Sequence, residues 1–186
     1  MAAPALIGQY AWRVSEDTAV NTNRVVRSFA FIDLSGFTAF TNEEGDDRAV
    51  DVLRQFREAV REAASSRGVR IAKWLGDGAM LVGVESEPLI EAVVDIEGRI
   101  SGSGFPLPLR AGIAVGPVIL FEGDDYIGHA VNIAARLCDE AEPREVLAVE
   151  NAVSSLLVNT DAAPAGDREI RGLDEPLRIV RLTALV

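Results

Sequence analysis

The stretch Val69-Arg70-Ile71-Ala72-Lys73-Trp74-Leu75-Gly76-Asp77-Gly78-Ala79-Met80-Leu81-Val82-Gly83-Val84 decides the architecture. Apolar residues dominate both halves, and Gly76-Asp77-Gly78 is a tight turn between them. Val69–Leu75 and Ala79–Val84 are therefore predicted to pair as a β-hairpin. Upstream, Ser28-Phe29-Ala30-Phe31-Ile32-Asp33 reads as a buried strand. A glycine-containing loop follows, then a helix in which Ala49, Leu53, Phe56, Val60 and Ala63 fall on one face at steps of four and three. Asp46 and Asp47 stand just ahead of it, where a helix N-terminus favours negative charge, and Gly68 stops it.

Downstream, Pro88 opens a second helix with Leu89, Ile90, Val93, Val94 and Ile100 apolar. Leu109–Val115 is a predicted strand, and Val118–Phe121 continues the sheet after a break at Gly116-Pro117. A third helix spans Gly128 to Asp139, and Glu145–Val149 is a strand. Arg168–Arg171 and Leu177–Leu182 are expected to close the chain as a hairpin. The order strand, helix, strand, strand, helix, strand predicts an α+β fold with a ferredoxin-like βαββαβ core and additional C-terminal strands and helices. Residues 1–26 show no period and read as an N-terminal arm, which leaves 27–186 as one domain.

Among 186 residues, 18 are basic and 29 acidic, for a formal net charge of −11. Such a surface repels nucleic acid and anionic lipid, so neither is an expected partner. It also repels a nucleotide, so a nucleotide site would need divalent metal and a few placed cations to reverse the field locally. No apolar run approaches the ~20 residues that span a bilayer, and Met1–Tyr10 lacks the basic start and long apolar core of a signal peptide. Cys138 is the sole cysteine, so no intrachain disulfide forms. The expectation is a soluble cytoplasmic protein.

Two aspartates open the chemistry. Asp33 ends the first strand and Asp77 sits in the hairpin turn. If those strands are neighbours, both carboxylates lie at one edge of the sheet. At ~4 Å two carboxylates repel by roughly 4 kcal/mol at an effective dielectric near 20, and a divalent cation between them removes the conflict. Oxygen ligands favour magnesium or manganese. Taken singly, each is better explained structurally, Asp33 as a cap of the next segment and Asp77 as a turn residue. Lys73 interrupts an apolar strand, where it either snorkels at an edge or binds a ligand. With Asp125 it could read a purine edge, Lys73 donating to a ring acceptor and Asp125 accepting from an exocyclic amine. Asn132 and Arg136 are four apart on the third helix and share a face, opposite Val131, Ala134, Ala135 and Cys138. They suit a ribose and a charged phosphoryl group, or an ordinary polar surface. Arg171, beside Gly172, could reach a phosphate. Trp74 reads as packing and His129, the only histidine, as a surface residue. A Walker lysine motif, a nucleophile elbow and a His/Cys metal cluster are all missing from the sequence.

Three segments together resemble the class III nucleotidyl cyclases: Phe31-Ile32-Asp33-Leu34-Ser35-Gly36-Phe37-Thr38, Lys73-Trp74-Leu75-Gly76-Asp77-Gly78, and Asp125-Tyr126-Ile127-Gly128-His129-Ala130-Val131-Asn132-Ile133-Ala134-Ala135-Arg136. The resemblance runs from about Arg27 to the C-terminus. It implies that Asp33 and Asp77 bind two divalent ions, Mg2+ or Mn2+, and that Lys73 and Asp125 select adenine. Guanylyl cyclases resemble one another in having a glutamate and a cysteine at those two places. It further implies that Asn132 orients the ribose and Arg136 stabilises the transition state. Arg171 stands where the family has a phosphate-binding lysine. ATP would be cyclised to cyclic AMP and pyrophosphate in a homodimer, with the metals from one subunit and base recognition, Asn132 and Arg136 from the other. A guanylyl or broad-specificity cyclase, or an inactive nucleotide-binding regulatory domain of the same fold, are the alternatives.

Overall fold

The computed structural model of the chain describes residues 24–122, 125–170 and 175–185. Arg171, and residues 1–23 of the expected arm, lie outside them.

Strand β1 (Arg24–Leu34) leads into two consecutive helices, α1 (Phe37–Glu44) and α2 (Asp46–Ser66). The hairpin β2 (Arg70–Leu75) and β3 (Gly78–Gly83) follows, then α3 (Ser86–Gly102), β4 (Leu109–Phe121) and the short β5 (Asp125–Ile127). Helix α4 (His129–Glu140), β6 (Val146–Val149), a 3-10 turn at Glu150–Ala152, β7 (Thr160–Arg168) and β8 (Leu177–Ala184) complete the fold. The eight strands among the described residues join one sheet in the order β2-β3-β1-β4-β6-β8-β7, with β5 paired to β4 outside that path. The first four of these places are the ferredoxin-like core, and β6, β8 and β7 extend it.

The core forms because helix and sheet periods agree. On α2 the buried residues are Ala49, Val52, Phe56, Val60, Ala63 and Ala64, a stripe that faces inward, while its charged residues face out. β3 is buried along its whole length. Phe29, Phe56, Leu81, Leu89 and Ile113 are among the fully buried side chains. Helix α4 lies so close to β4 that a Cβ on Gly112 would sit 2.2 Å from the Cys138 nitrogen and 2.3 Å from the Ala134 oxygen. Only glycine admits that approach. Strand alternation turns Ala111 and Ile113 to the opposite face, where α3 contacts β4.

Three departures from the sequence reading have physical causes. Helix α1 occupies the region read as a loop, and none of its residues is buried, so it leaves no apolar period to read. β4 runs unbroken through Gly116-Pro117, where β1 pairs with it on one side and neither β5 nor β6 reaches it on the other. A proline is tolerated beside such an open edge. β7 begins at Thr160, ahead of the expected Arg168, in a stretch of Ala, Pro, Gly and Asp that disfavours strands. It is an edge strand held by β8 alone, with an irregularity between Pro164 and Gly166.

Helices α2 and α3 are tied by charge. Asp95 accepts from Arg67 at 2.9 Å and from Arg99 at 3.0 Å, and Arg99 also reaches Glu62 at 2.9 Å. Burial opposes ionisation of Asp95, but hydrogen bonds from Arg99 and Arg67 outweigh it and hold the carboxyl below its ordinary range. A depressed folded-state pKa adds stability that is present above the unfolded value and lost as pH falls through the folded one. Asp95→Asn should therefore lower stability by about 1–2 kcal/mol at neutral pH. The gap should close on acidification below the ordinary aspartate range, as chemical denaturation across pH would show. A gap that stays constant into acid would remove charge as its cause.

Candidate active site

Two strands bring the aspartates together. β1 and β3 run antiparallel with Asp33 opposite Gly78, the residue after Asp77. The Leu34 amide donates to the Asp77 carbonyl at 3.3 Å, which stitches the end of β1 to the turn. A Cβ at Gly78 would fall 2.6 Å from the Ile32 carbonyl oxygen, so the turn lies against β1 with no room for a side chain. Asp33 and Asp77 line one cleft of ≈ 460 Å³, together with Thr38, Arg110, Cys138 and Asp139.

The two carboxylates of that cleft disfavour each other's charge. Burial raises the pKa of Asp77, and the negative charge of Asp33 raises it further, against a backbone hydrogen bond and Arg110, which lower it. Asp33 is met by Arg110, whose Nε and Nη2 lie 3.0 Å and 2.7 Å from the same carboxylate oxygen. Arg110 Nη1 donates to the Asp139 carbonyl at 3.0 Å, which fixes the guanidinium from its other side. Cys138 is buried nearby, and burial pushes its thiol up to about 12, with the charge of Asp33 adding to the effect. It is a neutral wall of the cleft at physiological pH. Among the described residues no group of three or more His, Cys, Asp or Glu side chains could enclose a metal. Two converging carboxylates fit magnesium or manganese, which are held by one or two carboxylates and complete their shells with water and substrate phosphates.

Helix α1 starts at the rim, where Gly36, Phe37 and Thr38 line the cleft. No side chain caps its N-terminus. Its first-turn N–H groups are thus available at a place suited to an anion.

The other sequence-predicted residues lie outside this cleft. Lys73 on β2 and Asp125 on β5 are ion-paired, Nζ to Oδ1, and both are exposed. The pairing spans strands that are not neighbours in the sheet. It arises because β5 folds back over β1, with Tyr126 packed edge-on against Phe29 at 5.3 Å. Asn132 is exposed and Arg136 partly buried on α4, and neither side chain forms a hydrogen bond or ion pair among the described residues. The α4 residues that do line the aspartate cleft are Ala135, Cys138 and Asp139. One chain therefore carries two groups of candidate residues: Asp33 with Asp77, and Lys73 with Asp125, each pair in mutual proximity. His129 is exposed at the start of α4, and Trp74 packs edge-on to Phe56 at 6.4 Å.

Arg110 was missed by sequence reading. The available signal was a lone arginine in the apolar strand Leu109–Val115, but its meaning depends on register: β4 pairs Arg110 directly opposite Asp33.

Comparisons with solved structures agree with this architecture. The adenylyl cyclase CyaB of Pseudomonas aeruginosa superposes with a TM-score of 0.72 at 24% identity, over 86% of this chain and 94% of that one. The catalytic core of a rhodopsin-guanylyl cyclase with converted specificity, in complex with ATPαS, gives 0.77 at 18% identity, over 87% and 97%. The chain has the catalytic-domain fold of the class III nucleotidyl cyclases. In sequence it is similar to an uncharacterized protein of Mycobacterium tuberculosis, 34% identical over 158 residues, and to an adenylate cyclase of Streptomyces coelicolor, 29% identical over 171. A pH-sensitive adenylate cyclase of Mycobacterium tuberculosis is 31% identical over 160 residues. Those matches take in 85%, 85% and 82% of this chain but only 41%, 44% and 39% of the relatives. The chain thus spans about two fifths of the length of the curated relatives it matches. No protein-family model matches it. Among the described residues no helix is long and apolar enough to cross a membrane.

Proposed function

We propose that this chain is an adenylyl cyclase catalytic domain that converts ATP to 3′,5′-cyclic AMP and pyrophosphate at a site shared between two copies. The observation that carries the reading is the convergence of Asp33 and Asp77 in one cleft, with the Lys73–Asp125 pair held elsewhere on the same chain. In this reading a second copy supplies one group to the other, so that all of them meet one nucleotide. Exposed apolar side chains Val26, Leu120, Phe121 and Ile127, on β1 and the β4–β5 hairpin, suit such an association.

Asp33 and Asp77 would hold the divalent ions. When bound, these lower the pKa of the attacking ribose hydroxyl and offset the triphosphate charge. The uncapped start of α1 offers N–H groups to phosphate oxygens. Arg110 keeps Asp33 oriented through two hydrogen bonds to one oxygen. Lys73 and Asp125 present a donor and an acceptor side by side, which matches the ring nitrogen and exocyclic amine of adenine. Asn132 and Arg136, unpaired on α4, are free to meet the ribose and the charge that builds on the α-phosphate, a role typically worth about 3–4 kcal/mol. Arg171 would add a phosphate contact.

Purified chain with ATP and manganese should yield cyclic AMP. Tight ATP binding without product would instead indicate an inactive regulatory domain. The base readers have their own test. Lys73→Glu with Asp125→Cys should shift the ATP to GTP preference by at least tenfold, since a polar group left unmatched beneath a bound base costs about 1–3 kcal/mol. An unchanged ratio in the double variant would count against these two positions.

A further inference from the structure

One arginine links α2 to the turn that carries Asp77. Arg57 Nη2 donates to the Gly76 carbonyl at 3.2 Å. Its guanidinium also lies 5.0 Å from the centre of the Trp74 ring, with that of Arg61 at 5.3 Å. Neither arginine has a carboxylate partner among the described residues. A guanidinium held over an indole face loses freedom, which restricts where its N–H groups can point.

The turn has need of such a tether. β2 is the edge strand of the sheet, and its ladder to β3 is irregular between Ile71 and Lys73. Leu75, which enters the turn, is 47% exposed. Gly76 has φ +74°, a left-handed conformation that glycine adopts but does not by itself enforce. On the β1 side the Leu34 amide holds the Asp77 carbonyl. On the α2 side Arg57 holds the carbonyl of the residue before it. The two contacts grip the turn from opposite flanks.

We propose that Arg57 is a positioning residue: by tethering the Gly76 carbonyl while its guanidinium lies over the Trp74 ring, it sets the placement of the Asp77 carboxylate toward divalent metal. Arg57 contacts the backbone of the turn, so it works through the placement of the Gly76 carbonyl. This rests on the reading of Asp77 as a metal ligand, and the test separates the two.

Arg57→Met keeps an apolar stem over Trp74 and deletes the donor, whereas Arg57→Lys keeps a charged donor. Loss of one hydrogen bond should speed amide exchange in the 76–78 turn of the metal-free chain about fivefold in the methionine variant. Its half-saturating Mn2+ concentration, read by water-proton relaxation without nucleotide, should rise by a similar factor, and so should KM for Mn2+ in turnover. The kcat at saturating Mn2+ should stay within about twofold, and lysine should restore most of the loss. Wild-type exchange and Mn2+ binding in the methionine variant would overturn the proposal, as would a fall in kcat alone. Should that variant fail to fold, Arg57→Gln, whose amide ends short of the Gly76 carbonyl, gives the same readings. If the wild-type chain makes no cyclic nucleotide, the functional reading fails while exchange and Mn2+ binding still decide the tether. If Asp77→Asn leaves Mn2+ binding intact, the metal reading fails and turn exchange alone decides it.

Discussion

Asp77→Asn should abolish turnover, by about a thousandfold or more, while leaving the fold at least as stable as before. The loss follows from the role proposed for its carboxylate, since metal-assisted charge stabilisation is worth several kcal/mol and about 1.4 kcal/mol is tenfold in rate. The stability follows from the cleft: burial and the neighbouring Asp33 both disfavour the Asp77 charge, so a neutral amide relieves a conflict. Asp33→Asn should lose activity equally but behave differently on unfolding. It leaves the partly buried Arg110 facing a weaker partner where two hydrogen bonds had met a carboxylate. A destabilisation of about 1–2 kcal/mol is expected there. Cyclic AMP formation at saturating manganese, beside a denaturant melt of each variant, checks both halves. Turnover within a few-fold of wild type in either variant would reject the metal assignment. A Tm for Asp77→Asn well below wild type would reject the account of the cleft.

Mixing two inactive variants should restore about a quarter of wild-type activity. In a two-fold dimer each subunit gives the same parts to both sites in opposite roles. Let one subunit carry Asp77→Asn and the other Arg136→Ala. One site then receives both lesions, and the other receives intact aspartates and an intact Arg136. Random mixing makes half the dimers mixed, each with one good site of two, which is where about a quarter arises if the sites are independent. The structure motivates the experiment because Arg136 does not line the cleft of Asp33 and Asp77. Two variants that remain inactive after verified subunit exchange would show that each chain builds its own whole site.

Much of the architecture was legible in the sequence because local signals coincide with the final fold. The turn Gly76-Asp77-Gly78, the stripe Ala49, Phe56, Val60 and Ala63, and the apolar run Ser28–Asp33 each state an element that tertiary packing then keeps. From that order of elements alone, Asp33 and Asp77 could be expected at one end of neighbouring strands, since a ferredoxin-like sheet places β1 beside β3. Elements with no buried residue, or with strand-averse composition, left no such signal, which is why α1 and most of β7 were not foreseen.

Which charged groups meet is set by packing between distant elements. Arg110 lies 77 positions from Asp33 in the chain and is brought opposite it by the register of β4 against β1. Lys73 and Asp125 are 52 apart and meet because β5 turns back over the sheet. Arg57 reaches Gly76 because α2 lies beside the edge hairpin. Periodicity reports which face a residue occupies relative to its own element. The partner of a charge depends on how two distant elements are aligned, and that alignment is set by packing of the whole core around Phe29, Phe56 and Leu81.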